Sequence, residues 1–140
     1  KRMLRAEDDV VLVTGALSGI GLASAQRLHR DGATVILTDI SAPGDARVTG
    51  ILGRFDGRAR YLRLDVTSED DWTAAVADVS AREGRLDGLI HNAGMSSNGY
   101  VETLGLDAWR KERIRTREIS ALYGELNELI TERYQRLFGL

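Results

Sequence analysis

Val10-Val11-Leu12-Val13, followed without a break by Thr14-Gly15-Ala16-Leu17-Ser18-Gly19-Ile20-Gly21, decides the fold. The first four residues are an apolar, largely β-branched run, which predicts a strand buried on both faces. Ile20 to Arg30 carries Ile20, Leu22, Ala23, Ala25 and Leu28 at helical spacing, which predicts an amphipathic helix stopped by Gly32. A glycine-rich turn between a buried strand and a helix is where a pyrophosphate is held. Gly15 allows the tight turn, Gly19 lets backbone approach the phosphate, and Gly21 lets the helix press on the sheet. The free N–H groups and the positive end of the helix then face the anion. Thr14, Gly15, Leu17, Ser18, Gly19, Ile20 and Gly21 are the expected phosphate-side residues.

The same alternation continues outward. Thr34–Thr38 predicts a second strand. A second helix follows, beginning near Pro43 with Val48, Ile51, Leu52 and Phe55 as its apolar positions. Arg60–Val66 predicts a third strand. Ser68 and Asp71 make a capping pattern for a third helix that carries Trp72, Ala75, Val76 and Val79 and ends near Gly84. Leu86–Ile90 predicts a fourth strand, and His91-Asn92-Ala93-Gly94 a turn. Strand and helix in strict succession, with right-handed crossovers, predict an α/β doubly wound parallel sheet of Rossmann type, about four strands in the order 3-2-1-4. Asp39 ends the second strand about twenty residues beyond the glycines, where an acidic group meets the adenosine ribose. Its other possible role is as a helix N-cap. A carboxylate there repels a 2′-phosphate, and positions 40 and 41 are Ile40, itself an expected cofactor-binding residue, and Ser41, with no Arg or Lys. NAD is therefore the expected cofactor, with NADP less favoured.

These motifs resemble the short-chain dehydrogenase/reductase family. Thr14–Gly21 has that family's wider glycine spacing. Leu64-Asp65-Val66-Thr67 resembles the end of its third strand, and the resemblance implies that Asp65 contacts the adenine and Val66 packs beside it. His91-Asn92-Ala93-Gly94 resembles the family's Asn-Asn-Ala-Gly, with His91 replacing the first Asn; the resemblance implies that Asn92, Ala93 and Gly94 steady the sheet next to the cofactor. His91 is expected on the rim, bonded to a neighbouring loop, rather than as an acid or base. Glu102–Trp109 resembles the start of the family's fourth helix, so the likeness covers residues 10–109.

Beyond that the likeness stops. The family's proton donor is the Tyr of a Tyr-x-x-x-Lys, oriented beside a Ser. Here Tyr100, Tyr123 and Tyr134 are followed four residues later by Leu104, Asn127 and Phe138, and the only Lys residues are Lys1 and Lys111. A Tyr with an unlowered pKa near 10 is a poor base at neutral pH. No catalytic residue and no metal ligand is assigned, and the chain is expected not to transfer hydride by itself.

The organisation predicted is residues 1–109 as an NAD-binding half-domain and residues 110–140 as an amphipathic helical tail. The tail reads as a different sequence joined on by natural fusion or by engineering. Ile119, Leu122, Leu126 and Leu129 form the seam of a long helix, weakened at Gly124. Ile119 to Arg133 is similar to the first helix of the all-helical chorismate mutases, but Thr116 stands where that family has an Arg and the later helices are absent; the likeness implies a dimerisation element rather than mutase activity. Arg110, Lys111, Arg113, Arg115 and Arg117 are read as a solvated helix face. The open fourth strand and the tail helix predict a homo-oligomer.

Composition narrows the rest. In 140 residues, 19 Lys+Arg against 21 Asp+Glu leave a net charge of -2, which argues against nucleic acid as partner. There is no Cys and no long apolar run, so disulfides, thiolate metal sites and a membrane span are not expected, and a cytoplasmic location is. The competing reading is a structural or assembly protein that uses the Rossmann-like part as scaffold. A third is one fragment of a split enzyme completed by another chain.

Overall fold

A computed structural model describes residues 6–94. Along them run β1 (Val10–Thr14), α1 (Gly19–Arg30), β2 (Thr34–Asp39), α2 (Ala46–Leu52), β3 (Ala59–Arg63), α3 (Glu69–Glu83) and β4 (Gly88–Ile90). The four strands are parallel, in the order β3-β2-β1-β4. This is the doubly wound order expected from the sequence. The tail helix, its likeness to the mutases and the basic run at 110–117 lie outside the described residues.

Strand periodicity explains why β1 reads as unbroken apolar sequence. Successive side chains point to opposite faces. Val11 and Val13, with Val35 and Leu37 of β2, enter one core against Ala25 of α1 and Val48 and Ile51 of α2. Val10 and Leu12, with Ile36, enter the other against Trp72, Ala75 and Val79 of α3. The register sets Val13 beside both Leu37 and Ile90, so β1 is central. The chain winds outward from β1 through β2 to β3, then returns to β4 on the other side. The strand order therefore reverses at β1, and a crevice opens there at the carboxyl ends. β4 pairs with β1, and no described strand covers its other edge.

Some boundaries differ from the sequence reading. Ile20 is 77% exposed and does not belong to the core face of α1; it sits in the first turn, directed away from the sheet. α2 begins at Ala46, just after Pro43, where Asp45 is the N-cap and its carboxylate accepts the Arg47 N–H at 2.7 Å. Phe55 lies beyond α2 but still packs on the same core, with its ring edge-on to His29. β3 and β4 are shorter than their apolar runs.

The Ser68 cap forms as its spacing predicts. Ser68 Oγ accepts the Asp71 N–H at 3.1 Å and donates to Asp71 Oδ1 at 3.2 Å. Asp71 Oδ2 in turn accepts the Asp65 N–H at 2.9 Å and a bond from Arg63 at 2.8 Å. The Asp65 N–H, chiefly, holds the Asp71 carboxyl below its usual pKa. At the opposite end of the sheet, Asp56 accepts from the Arg58 backbone, from His29 and from the Arg58 side chain. These bonds, the Arg58 N–H first, lower its pKa to about 2.

A carboxylate depressed in the folded state contributes stability above its unfolded pKa and loses it as pH falls through the folded value. The stability advantage of the unmodified chain over Asp56→Asn is therefore expected in full at neutral pH, shrinking as pH falls towards the ordinary aspartate value of 3.8 and largely gone near about 2. Urea unfolding at a series of pH values reads this directly. A constant difference across that range would contradict it.

Candidate functional site at the carboxyl ends of the strands

The crevice is built on a buried hydroxyl. Thr14, fully buried at the end of β1, accepts the N–H groups of both Asn92 and Ala93 at 3.0 Å and lies 3.4 Å from the Ile90 carbonyl to which it donates. Asn92 answers with its amide: Nδ2 lies 3.3 Å from the carbonyls of Thr14 and Gly15. The chain leaving β4 is thus tied to the chain leaving β1. Thr38, also buried, donates to the Val13 carbonyl at 3.0 Å and fixes the next strand end.

Two glycines are required by this closeness. Gly15 has φ +62, and a Cβ on it would lie 3.0 Å from Ala93 Cα. A Cβ on Gly21 would lie 2.2 Å from the Gly15 carbonyl oxygen and 2.6 Å from Asn92 Nδ2. No side chain fits there, because the nearest atom is rigid backbone. Gly19 is different: φ is +53, and a Cβ would meet nothing within 4 Å. The space over Gly19 is open towards the crevice.

The start of α1 is left open as well. Ser18 is its N-cap residue but makes no side-chain cap bond, and the first turn holds no acidic residue. The other two described helices differ: Asp45 caps α2, and α3 has the Ser68 cap with Glu69, Asp70 and Asp71 in its first turn. The first N–H groups of a helix have no intrahelical partner and carry partial positive charge. At α1 neither a side-chain cap nor an acidic residue of the first turn takes them up; the carboxylate nearest the turn, Asp39, is bonded to the Leu17 N–H instead.

Asp39 stands next to this turn. Its Oδ2 accepts the Leu17 N–H at 3.3 Å and its Oδ1 the Ile40 N–H at 2.8 Å. It is not a helix cap; Asp45 has that role. Two contacts were not visible in the sequence because they join distant elements. Tyr61 of β3 places its hydroxyl 2.9 Å from the Asp39 carbonyl and 2.7 Å from the Ser41 carbonyl, and so holds the loop that carries Asp39. Burial, chiefly, raises the Tyr61 pKa to about 12, so it remains a donor. Arg47 of α2 reaches back and donates to the Leu17 carbonyl at 3.3 Å.

The remaining expected residues lie on the same rim. Ile40 is 61% exposed and, with Ile20, is one of the large apolar side chains that the described surface shows to solvent. Asp65 closes the turn after β3, its Oδ1 accepting from the Thr67 N–H at 2.9 Å and the Thr67 hydroxyl at 2.7 Å. Val66 follows, and its carbonyl accepts the Trp72 indole N–H at 3.1 Å. Gly94 is exposed beyond Asn92 and Ala93. His91 sits on the rim, its ring 6.5 Å from that of Trp72, and desolvation lowers its pKa. The described residues contain no group of acidic or His side chains that could hold a metal ion, and no described helix is long and apolar enough to cross a membrane.

A doubly wound sheet with an uncapped helix start, a glycine turn and an acidic strand end at its switch point defines a dinucleotide-binding α/β domain. The comparison with known proteins gives the family. The short chain dehydrogenase family model matches residues 9–116, and the chain belongs to that family, whose cofactor is a nicotinamide dinucleotide. Among curated relatives, cyclopentanol dehydrogenase of Comamonas sp. (strain NCIMB 9872) is 40% identical over 107 residues, covering 76% of this chain and 43% of the relative. Trans-4-hydroxycyclohexanecarboxylate dehydrogenase of Sinomonas cyclohexanicum is 39% identical over 113 residues, covering 76% and 44%. 3-beta-hydroxysteroid dehydrogenase of Comamonas testosteroni is 39% identical over 99 residues, covering 71% and 38%. The chain spans less than half the length of these relatives.

The contact at Gly21 yields a direct expectation. Gly21→Ala forces a methyl group onto the Gly15 carbonyl, and overpacking of this kind costs about 3 kcal/mol. Thermal unfolding monitored by circular dichroism should show a strongly lowered midpoint. An unchanged midpoint would mean that α1 does not lie this close to the turn.

Proposed function

We propose that residues 1–109 form an NAD-binding module, the cofactor half of a dehydrogenase of this family. The observation that carries the reading is the start of α1: uncapped, free of acidic side chains, and approached over a glycine whose missing Cβ leaves open space. That arrangement suits a pyrophosphate. Asp39 supplies carboxylate oxygens for the ribose hydroxyls, and the same charge disfavours a 2′-phosphate, which is why the reading is NAD before NADP. Ile20 and Ile40 offer exposed apolar surface on either side of the turn for the flat rings of the ligand. Asp65 and Val66 line the adenine side, Asn92 and Ala93 hold β4 against β1 beneath it, and Gly94 follows them on the cofactor side.

The nicotinamide, when bound, supplies the hydride acceptor or donor. This chain's part is to bind and orient it. Residues 1–140 contain no Tyr followed four residues later by Lys. The reading therefore assigns no proton donor to them, and hydride transfer by this chain alone is not expected. Relatives named for cyclopentanol, for a hydroxycyclohexanecarboxylate and for a hydroxysteroid support an alcohol as the substrate class of the whole dehydrogenase. The edge of β4 that no described strand covers supports association with a further strand or a second copy.

Calorimetric titration with NADH tests the proposal. Saturable binding is expected. Gly19→Val places a side chain in the open space over the turn and should weaken binding at least about tenfold, with a fold cost of about 2 kcal/mol from a β-branched residue at positive φ. Asp39→Arg should shift preference from NADH towards NADPH. Absence of binding by the folded chain, or unchanged affinity in Gly19→Val, would overturn the reading.

A further inference from the structure

Resting on the dinucleotide reading above, we infer that Arg47 is a specificity-determining residue: it supplies the counter-charge for a ribose 2′-phosphate, so that NADP(H) is admitted despite Asp39.

The rule that reads cofactor preference from the residues just after the second strand looks at positions 40 and 41, which hold no cation here. The fold brings one from further along. Leu17 is held from both its polar groups: Asp39 Oδ2 accepts its N–H at 3.3 Å, and an Arg47 terminal nitrogen donates to its carbonyl at 3.3 Å. Carboxylate and guanidinium thus meet at one residue of the turn, and they form no ion pair with each other. The Asp45 cap, which takes the Arg47 N–H at 2.7 Å, starts α2 at the point that aims Arg47 back towards the turn.

Beside them lies a cleft of about 460 Å³ lined by Leu17, Ser18, Leu22, Arg47, Ile51 and Arg54. Both of its charged lining residues are cations. Arg54 has no side-chain partner among the described residues, and Arg47 uses only its bond to Leu17. A guanidinium carries five N–H donors, so most of those on Arg47 remain to be used. Charge-assisted bonds from Arg to phosphate are among the strong hydrogen bonds of proteins. A dianionic 2′-phosphate set against Asp39 is repelled by it and attracted by Arg47 across the same residue. The two effects oppose each other, and the preference for NADH becomes shallow rather than absolute.

The test is the affinity of the full chain and its Arg47 variants for NADH and NADPH, measured by titration at several salt concentrations. The unmodified chain is expected to bind both, with NADPH weaker by about tenfold or less. Arg47→Ala loosens the turn for both dinucleotides, but it should weaken NADPH about tenfold more than it weakens NADH, and Arg47→Lys should recover part of that difference. In the unmodified chain NADPH binding should fall more steeply with salt than NADH binding, and Arg47→Ala should remove most of that difference. The salt series needs no variant and stands even if one fails to fold. Equal weakening of both dinucleotides would make Arg47 only a clamp on Leu17 and would overturn the inference. Equal salt dependence in the unmodified chain, or NADH binding with no NADPH binding at all, would overturn it too. Failure of both dinucleotides to bind would instead remove the dinucleotide reading, and this inference with it.

Discussion

The Gly15 carbonyl and the backbone of Gly21 approach so closely that a single Cβ would come within 2.2 Å of the oxygen. Much of the described architecture depends on that contact. It fixes the angle at which α1 leaves the turn, and so the depth at which Ala25 enters the core. It brings the Asn92 amide against the same turn, where the amide bridges the Thr14 and Gly15 carbonyls. The Thr14 hydroxyl completes the tie by accepting the Asn92 and Ala93 N–H groups. Strand ends that meet at the reversal of strand order are thereby locked by partly buried hydrogen bonds centred on the buried Thr14. The crevice is a consequence of this lock rather than a separate feature.

The electrostatics of the crevice follow from how the helices begin. α2 and α3 consume their own N-terminal N–H groups with Asp45 and with Ser68 and the acidic turn after it. α1 does not. Among the described helices only α1 starts without a side-chain cap or an acidic first turn, and it does so at the glycine turn, where free N–H groups suit an external anion. Asp39, Tyr61 and Arg47 then set the rim. Tyr61 holds the carbonyls on either side of Ile40, Asp39 holds the Leu17 N–H, and Arg47 holds the Leu17 carbonyl. The turn is fixed by contacts from β2, β3 and α2 at once.

The sheet was legible because its signals are local. Val10–Val13 is apolar throughout since β1 is covered on both faces, and the spacing from Ser68 to Asp71 is itself the cap. The strand order followed from crossover handedness. Boundaries were less legible where the chain's apolar residues continue past the hydrogen bonds: Leu64 stays buried after β3 has ended. Ile20 has the right spacing for the core face, yet it stands in the first turn of α1 and is exposed. Pro43 marks the neighbourhood of the α2 start and Asp45 sets it, because a side-chain acceptor satisfies N–H groups that proline merely tolerates losing. Arg47 and Tyr61 could not be read at all. Their partners are Leu17 and the Asp39–Ser41 loop, and only the packing of α2 and β3 brings them together.

A dinucleotide held as proposed would touch the carboxyl ends of all four strands at once. The most direct test is a two-dimensional amide spectrum of the isotope-labelled chain recorded with increasing NADH. The account predicts that the shifting amides cluster in Gly15–Gly21, at Asp39 and Ile40, at Asp65 and Val66, and at Asn92–Gly94, with those near the start of α1 moving most. Shifts confined to other surfaces, or none in a folded chain, would contradict it.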